Sequence, residues 1–513
     1  MIRWHIPPGS KWDMDIVLNV LTERRFTAPI KPRDTSILVV PGSEMADSPG
    51  ALQSLLRKVK DPLVIVTSDE SRRLNAYLPH MLLQTPKMGE LDRGFPLGPP
   101  PSPRIMDPEM PSWSSRTIPW SFMGQITHSR RQEFSDAIRI LDDGFFRPTA
   151  GFAQGISREG YLSLMEQTVY APCPSGPATV DTFRLYEAIE AGCAPIVDTR
   201  TPQADMSDYW HGLCPHATGL VEAREWSGLP LFMATDGRPM YHAARAQAWW
   251  GRALKFFSDR VWHDQIGRFG ADNYLPGDEI GVVITTSPCP GHPSTAMIQK
   301  VIASVRERLP RAHISIACDV PRDPDPAYDE YLARLAWKTT HCWTDVTMAI
   351  ASTHGHQSEA IKDSLGDPHW PRFTLFLEHD TPLVGRIDFD ELAGVLAAND
   401  LDLIRLHHEA QVLDVHRHLM VGDGPRDYDG TFREVTAWPT VQWSQRPHLA
   451  STAYYRRILS EHFRTKHWFV EEVMHSVCQS EPWERNRLAV LHEIDGSWGI
   501  KRSEHLDGRR WEG

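Results

Sequence analysis

Short uninterrupted apolar runs recur along this chain, each closed by turn residues. Ser36-Ile-Leu-Val-Val40 and Leu63-Val-Ile-Val-Thr67 are two of them. Runs of that length without alternation predict strands buried on both faces of a parallel sheet. Ala51 to Lys60 between them has helical apolar spacing, which makes a strand–helix–strand unit. A Pro-rich stretch follows, from Phe95 through Pro103 to Pro111, and predicts a joining loop. Beyond it, Phe122 to Gln125 predicts a strand ending in a Gly turn. A helix follows from about Arg131 to Leu141, and another runs from Arg245 to Ser258.

The pattern restarts at Gly281-Val-Val-Ile-Thr-Thr-Ser287. A helix over Ser294 to Leu309 is capped by Ser294 and stopped by Pro310. His313–Asp319, Arg372–Asp380 and Leu401–Leu406 predict further strands. At 513 residues the chain exceeds one core. The expected divisions are 1–112, 113–275 and 280–513.

Composition narrows the class. Hydrophobic residues make up 41% and charged residues 23%, as in globular proteins. The formal net charge of −12 argues against a large surface for non-specific phosphate binding. Seven cysteines without CxxC pairs suit a reducing compartment and supply no zinc spacing. The start, Met1-Ile-Arg-Trp-His-Ile, is not a charged-then-apolar leader, and no apolar run reaches bilayer length. The expectation is a cytoplasmic chain.

The most informative segment is Tyr170 to Val197. It predicts a strand end, a small-residue loop with Ser175 and Gly176, an amphipathic helix, a Gly stop and a second strand. A loop feeding a helix N-terminus favours anions through backbone N–H groups and the helix dipole. Arg184 and Glu187, three apart, share one helix face. Arg184 can grip a diphosphate with its fork of donors; Glu187 can accept from ribose hydroxyls. Ser129, Arg130 and Arg131, at the start of the preceding helix, offer another phosphate contact.

The order of small-residue loop, Arg184, Glu187-Ala-Ile189 and Gly192-Cys-Ala-Pro-Ile196 resembles the nucleotide-sugar-binding signature of exostosin-like glycosyltransferases of the GT-B type. The resemblance implies a nucleotide-diphospho-sugar donor. Ser175, Gly176, Arg184, Glu187 and Arg131 would bind it, with Arg184 stabilising the leaving diphosphate.

A second constellation ends the Arg372–Asp380 strand. Glu378 and Asp380 project to one side of an extended chain. Two such carboxylates can hold a divalent cation, which can hold a diphosphate. Residues 280 to 480 resemble the GT-A glycosyltransferases, with Glu378-His379-Asp380 in the place of their DxD element. That resemblance implies Mn2+ or Mg2+ at Asp380 and Glu378, with the late His475 as a further ligand. It also implies donor contacts from Thr286 and Asp319 and a Gly-containing helix start over Thr353–Ala360. Glu471 or Glu472 would be general base on the acceptor hydroxyl.

The expected fold class is therefore α/β and multidomain: GT-B-like Rossmann-type domains followed by a GT-A-like α/β domain. The expected activity is bifunctional, two transfers from nucleotide-sugar donors that build a short glycan. The acceptor would be a glycan, a lipid-linked precursor, a protein or a modified base in DNA. One alternative is a single active GT-A half beside a non-catalytic exostosin-like acceptor-binding module. Another is a viral DNA-base glycosyltransferase. The His407-His-Glu409 and His416-Arg-His418 runs lack a metalloprotease order. Trp438, Trp443, Tyr454 and Tyr455 are read as core or as a stacking platform.

Overall fold

A computed structural model describes residues 2–5, 35–41, 56–57, 63–67, 81–84, 94–95, 110–151, 155–214, 219–260, 279–351, 354–398, 400–406, 412, 414–464, 468–492, 494–495, 498–499 and 501–506. Most of the helix expected at Ala51–Lys60, most of the Pro-rich stretch and His407–Glu409 lie outside these residues. The chain divides into two compact units, residues 1–271 with 332–344 and residues 272–331 with 345–513.

The first unit contains two parallel sheets. One has the order β1 (Ile2–His5), β2 (Thr35–Pro41), β3 (Leu63–Thr67), β4 (Met81–Gln84), β5 (Gly94–Phe95). The other is built from β6 (Ile118–Gly124), β7 (Phe145–Pro148), β8 (Thr168–Cys173), β9 (Ala194–Asp198) and β10 (Val221–Ala223), in the order β10-β9-β8-β6-β7. Its helices are α1 (Ser129–Ile138), α2 (Arg158–Glu166), α3 (Phe183–Glu190), α4 (Tyr209–Leu213), α5 (Leu229–Thr235) and α6 (Pro239–Asp259).

Leu185, Tyr186 and Ile189 of α3 share a core with Ile37, Leu63 and Ile65 and with Trp249 and Trp250 of α6. β8 and β9 are buried almost throughout, as continuous apolar runs require. Gly192 ends the α3 turn at φ +72, where a Cβ would be strained and would meet Arg116 at 2.9 Å. Arg116 occupies that space to donate to the carbonyls of Met165, Thr168 and Ala191.

The second unit has a mixed sheet of nine strands, β11 (Ile280–Thr286), β12 (Ile314–Cys318), β13 (Val346–Ile350), β14 (Phe373–Glu378), β15 (Leu403–Arg405), β16 (Arg426–Asp429), β17 (Glu434–Thr440), β18 (His448–Ser451) and β19 (Leu488–Leu491), and a two-stranded antiparallel sheet of Ile494–Asp495 and Trp498–Gly499. The order in the larger sheet is β13-β12-β11-β14-β18-β15-β19-β17-β16. β13, β12, β11 and β14 are parallel, and β18 pairs antiparallel to β14. All four parallel strands therefore deliver their C-terminal ends to one edge, the usual place for a ligand in an α/β sheet.

Among the described residues, the α-helices that follow are α7 (Ala296–Arg306), α8 (Pro326–His341), α9 (His356–Leu365), α10 (Phe389–Ala397), α11 (Thr452–His462) and α12 (Val470–Ser480). α8 begins in the second unit, and its residues from Leu332 onward group with the first.

Local differences from the sequence expectation have physical causes. α1 starts at Ser129 rather than Arg131, with His128 in extended conformation ahead of it. α7 takes Thr295 as its N-cap, while the Ser294 hydroxyl accepts from the Ala296 N–H at 3.3 Å. Trp443, Tyr454 and Tyr455 are 1–3% exposed and belong to the core of the second unit. No helix among the described residues is long and apolar enough to cross a membrane.

Candidate active site

In the first unit the loop after β8 is held from every side. Asp198, fully buried at the end of β9, accepts from the N–H of Ser175 (3.3 Å) and from the Trp226 indole (3.1 Å). It also pairs with Arg130, Nη2 to Oδ1 at 2.6 Å and Nε to Oδ2 at 3.3 Å. The carbonyl of Ser175 accepts from Arg131 Nε at 2.9 Å, and Arg131 also donates to the carbonyl of Gln125. The Gly176 N–H donates to the carbonyl of Thr179 at 2.8 Å.

The structure thus gives the residues of this loop distinct tasks. The Ser175 N–H ties the loop to Asp198, and the Gly176 N–H closes the loop upon itself. Arg130 is buried in an ion pair, and Arg131 clamps the loop backbone. Among the described residues of this loop, the hydroxyls of Ser175 and Thr182 are buried without a partner.

Arg184 is half-buried on α3. Its guanidinium donates to the Tyr161 hydroxyl at 3.0 Å and lies 4.4 Å from the Phe122 ring centroid. A Cβ at Gly124 would meet the guanidinium at 3.1 Å, so glycine there leaves it room at the end of β6. Glu187, one turn on, is also half-buried.

In the second unit the ends of β11, β12 and β14 bring Thr286, Asp319, Glu378 and Asp380 to one edge. Parallel pairing sets Glu378 opposite Thr285 and Cys318 opposite Thr286. The Thr286 hydroxyl hydrogen-bonds that of Tyr331 at 3.0 Å. Asp319 Oδ1 accepts from the N–H of Val320 (2.8 Å) and of Gly355 (3.4 Å), which fixes the start of α9. His354 and His356 stand beside Asp319, with donor atoms of all three within 4.8 Å of one another.

Three carboxylates converge at the end of β14. Burial, then Asp380, then Glu471 push the Glu378 carboxyl up to about 8. Glu378 is thus largely protonated near neutral pH, in the absence of a cation. Glu471 Oε2 accepts from the Gln445 N–H at 3.3 Å, whereas Glu472 accepts from the indole of exposed Trp468. α12 therefore turns Glu471 toward the strand end and Glu472 toward its own exposed aromatic neighbour.

Asp380 has one oxygen, Oδ1, buried without a partner; the other lies 3.1 Å from His505 Nε2. His475, the late histidine expected as a ligand, instead faces the Trp443 carbonyl (3.3 Å) and Gln479 (2.7 Å). His505 was not singled out in the sequence, since its segment has neither periodicity nor motif spacing.

No protein-family model matches the chain. No curated protein matches it either. Among solved structures, it is similar to GalNAc-T7 with UDP, GalNAc and Mn2+: TM-score 0.28, 11% identity, 44% of this chain and 43% of that one. It is similar to S. aureus TarS at TM-score 0.28 and 12% identity, over 44% of this chain and 36% of that one. For the mannosyltransferase PcManGT from Pyrobaculum calidifontis in complex with GDP-Man and Mn2+, the TM-score is 0.29 and the identity 12%, over 49% of this chain and 68% of that one. The chain spans less than half the length of the first two. Likenesses at that level carry no argument about chemistry, which rests on the side chains above.

Proposed function

We propose that this chain is a glycosyltransferase that uses nucleotide-diphospho-sugars, with a metal-assisted transfer site in the second unit. The carrying observation is the convergence of Glu378, Asp380, Glu471 and His505 at the C-terminal edge of a parallel sheet. Carboxylate oxygens with one imidazole suit Mn2+. The orphaned Oδ1 of Asp380 is a buried acceptor in want of a positive partner. The residues present therefore fit the cation. Asp380, His505 and ionised Glu378 would hold it. When bound, it supplies positive charge to the leaving diphosphate.

The protein's own residues do the rest. Asp319, fixed by two backbone N–H groups, would accept from the ribose, and the end of β11 at Thr286 would line the nucleoside. Glu471 would take the proton from the acceptor hydroxyl as that oxygen attacks the anomeric carbon. Trp468 and Phe469, 49% and 44% exposed beside His356, form an aromatic shelf on which a sugar ring can stack. The acceptor class stays as broad as the chemistry: a hydroxyl on a glycan, lipid-linked precursor, protein or modified base.

The first unit would bind a second donor. Arg184, poised over Phe122 and Tyr161, would meet the diphosphate, and Glu187 the ribose. This makes the chain bifunctional, with no cation needed in that half. The test is a panel of nucleotide sugars scored by thermal shift and donor hydrolysis, with and without Mn2+. Wild type, Arg184→Ala and Asp380→Ala are compared. Two donors, each losing its response in a different variant, with only the Asp380 response dependent on Mn2+, is the expected outcome. Responses that all depend on Asp380 would make the first unit an acceptor-binding module. No response to any donor would remove the glycosyltransferase reading.

A further inference from the structure

We propose that Cys289, His292 and His379 form a binding site for a thiophilic divalent cation, zinc above all, separate from the oxygen-rich site at Glu378 and Asp380. Donor atoms of these three side chains lie within 4.8 Å of one another, and all three residues are half-buried. Bond lengths of about 2.3 Å to sulfur and about 2.0 Å to nitrogen put tetrahedral ligands roughly 3.3–3.6 Å apart, so a closure of about 1 Å completes the set.

The backbone has already placed the ligands. The His292 N–H donates to the Cys289 carbonyl at 3.2 Å, a tight turn that brings the two side chains together. The His379 N–H donates to the Thr285 carbonyl at 2.9 Å, which ties the third ligand to the strand that leads into that turn. The His292 ring is wedged against Tyr331, with centroids 3.8 Å apart, and against Tyr328 at 5.1 Å. Its Nδ1 is buried without a hydrogen-bond partner. An orphaned imidazole nitrogen in a fixed ring, beside a thiol and a second imidazole, is the donor chemistry of zinc.

The two sites would divide cations by ligand softness. Sulfur with two imidazoles selects zinc, whereas carboxylates favour Mn2+ or Mg2+. Three protein ligands leave a fourth position for water. A zinc ion here would clamp the turn after β11 to the end of β14. Because His379 precedes Asp380, that clamp would set the direction in which Asp380 projects.

The test is made on the full chain, incubated with zinc, desalted and analysed for bound metal. One zinc per chain is expected. It should be lost from Cys289→Ala and from His292→Ala and kept by Asp380→Asn. Cobalt loading of the wild type should give a thiolate-to-cobalt charge-transfer band. Zinc should also protect Cys289 from alkylation, read by peptide mapping. Those two readouts on unmutated protein keep the test decisive if a variant does not fold. A wild type without zinc, or with cobalt but no charge-transfer band, overturns the proposal. So does equal alkylation of Cys289 with and without zinc, or zinc lost from Asp380→Asn but kept by Cys289→Ala.

Discussion

His505 Nε2 lies 3.1 Å from Asp380 Oδ2, although the two residues are far apart in sequence. The approach is held by backbone bonds on both sides. The Leu506 N–H donates to the Asp380 carbonyl (2.8 Å), the Glu504 N–H to Pro382 (3.0 Å), and the Val384 N–H to Arg502 (3.0 Å). Residues 501–506 thus form part of the candidate site. If His505 helps to hold the cation, His505→Ala should raise the Mn2+ concentration for half-maximal activity by roughly 10- to 100-fold. His475→Ala should leave it unchanged. A Mn2+ titration of donor hydrolysis distinguishes the two.

Glu471 and Glu472 are adjacent in sequence but face different neighbours. Only Glu471 contributes to raising the Glu378 carboxyl, and only Glu472 meets Trp468. As general base, Glu471 should be worth about 100- to 10,000-fold in turnover. Glu471→Gln should lower kcat by that amount with donor affinity retained. Glu472→Gln should change kcat less than about threefold, the scale of one exposed hydrogen bond. Steady-state kinetics with a responsive acceptor provides the measurement.

Arg184 is expected to act through charge. Hydrogen bonds to charged groups contribute about 1.5–3 kcal/mol, so Arg184→Ala should weaken binding of a nucleoside diphosphate to the first unit by roughly 10- to 100-fold. Arg184→Lys should recover only part of it, because a point charge lacks the planar fork. Calorimetric titration in the Asp380→Ala background isolates this site; an unchanged dissociation constant there would remove Arg184 from it.

Arg130 has a structural task. Its pair with Asp198 is buried, with side chains 5% and 0% exposed. Removing one partner of such a pair costs about 3–5 kcal/mol, because the other charge is left uncompensated. Arg130→Met should therefore lower the unfolding free energy of the first unit by that order. It should do so with or without nucleotide, as urea denaturation would show. The neighbouring Arg131→Met, with less buried charge at stake, should cost less.

His448 sets an acid limit on the second unit. It is 1% exposed, stacked on Phe376 and Tyr455, and burial pushes its imidazole down to about 4. The Arg446 carbonyl beside Nδ1 (2.8 Å) places the proton there, so Nε2 accepts from the Tyr455 hydroxyl (2.5 Å). The unfolded chain takes up a proton near pH 6.5, whereas the folded chain resists until about pH 4. Stability is complete above pH 6.5 and falls as pH drops through that window, by an amount on the order of 3 kcal/mol. His448→Gln should flatten the decline of Tm between pH 6.5 and pH 4, even if its Tm at pH 7.5 is lower.

Much of the strand framework was legible because buried parallel strands are written as continuous apolar runs. Leu63–Thr67 matches β3, and Gly281–Ser287 differs from β11 by one residue at each end. Gly192 was legible as a helix stop because a left-handed residue there leaves little choice. What escaped depended on contacts between distant segments. Arg130 and Arg131 are alike on paper, yet a buried Asp198 from another strand takes the first and a loop carbonyl the second. The facing of Glu471 depends on how α12 docks. His505 has no local signal at all, since its partner is supplied by a strand formed much earlier in the chain.

The bonds from residues 501–506 back to Pro382 and Asp380 also bear on folding kinetics. Closing so long a loop is entropically costly and comes after local helices and neighbouring strands have formed. The nine-stranded sheet can thus assemble before the proposed cation site is complete. A chain clipped within its last described segment would keep native-like spectra and cooperative unfolding yet lack a ligand. With the proposed cation site, a folded signal and a competent centre become separate milestones, the second reached last.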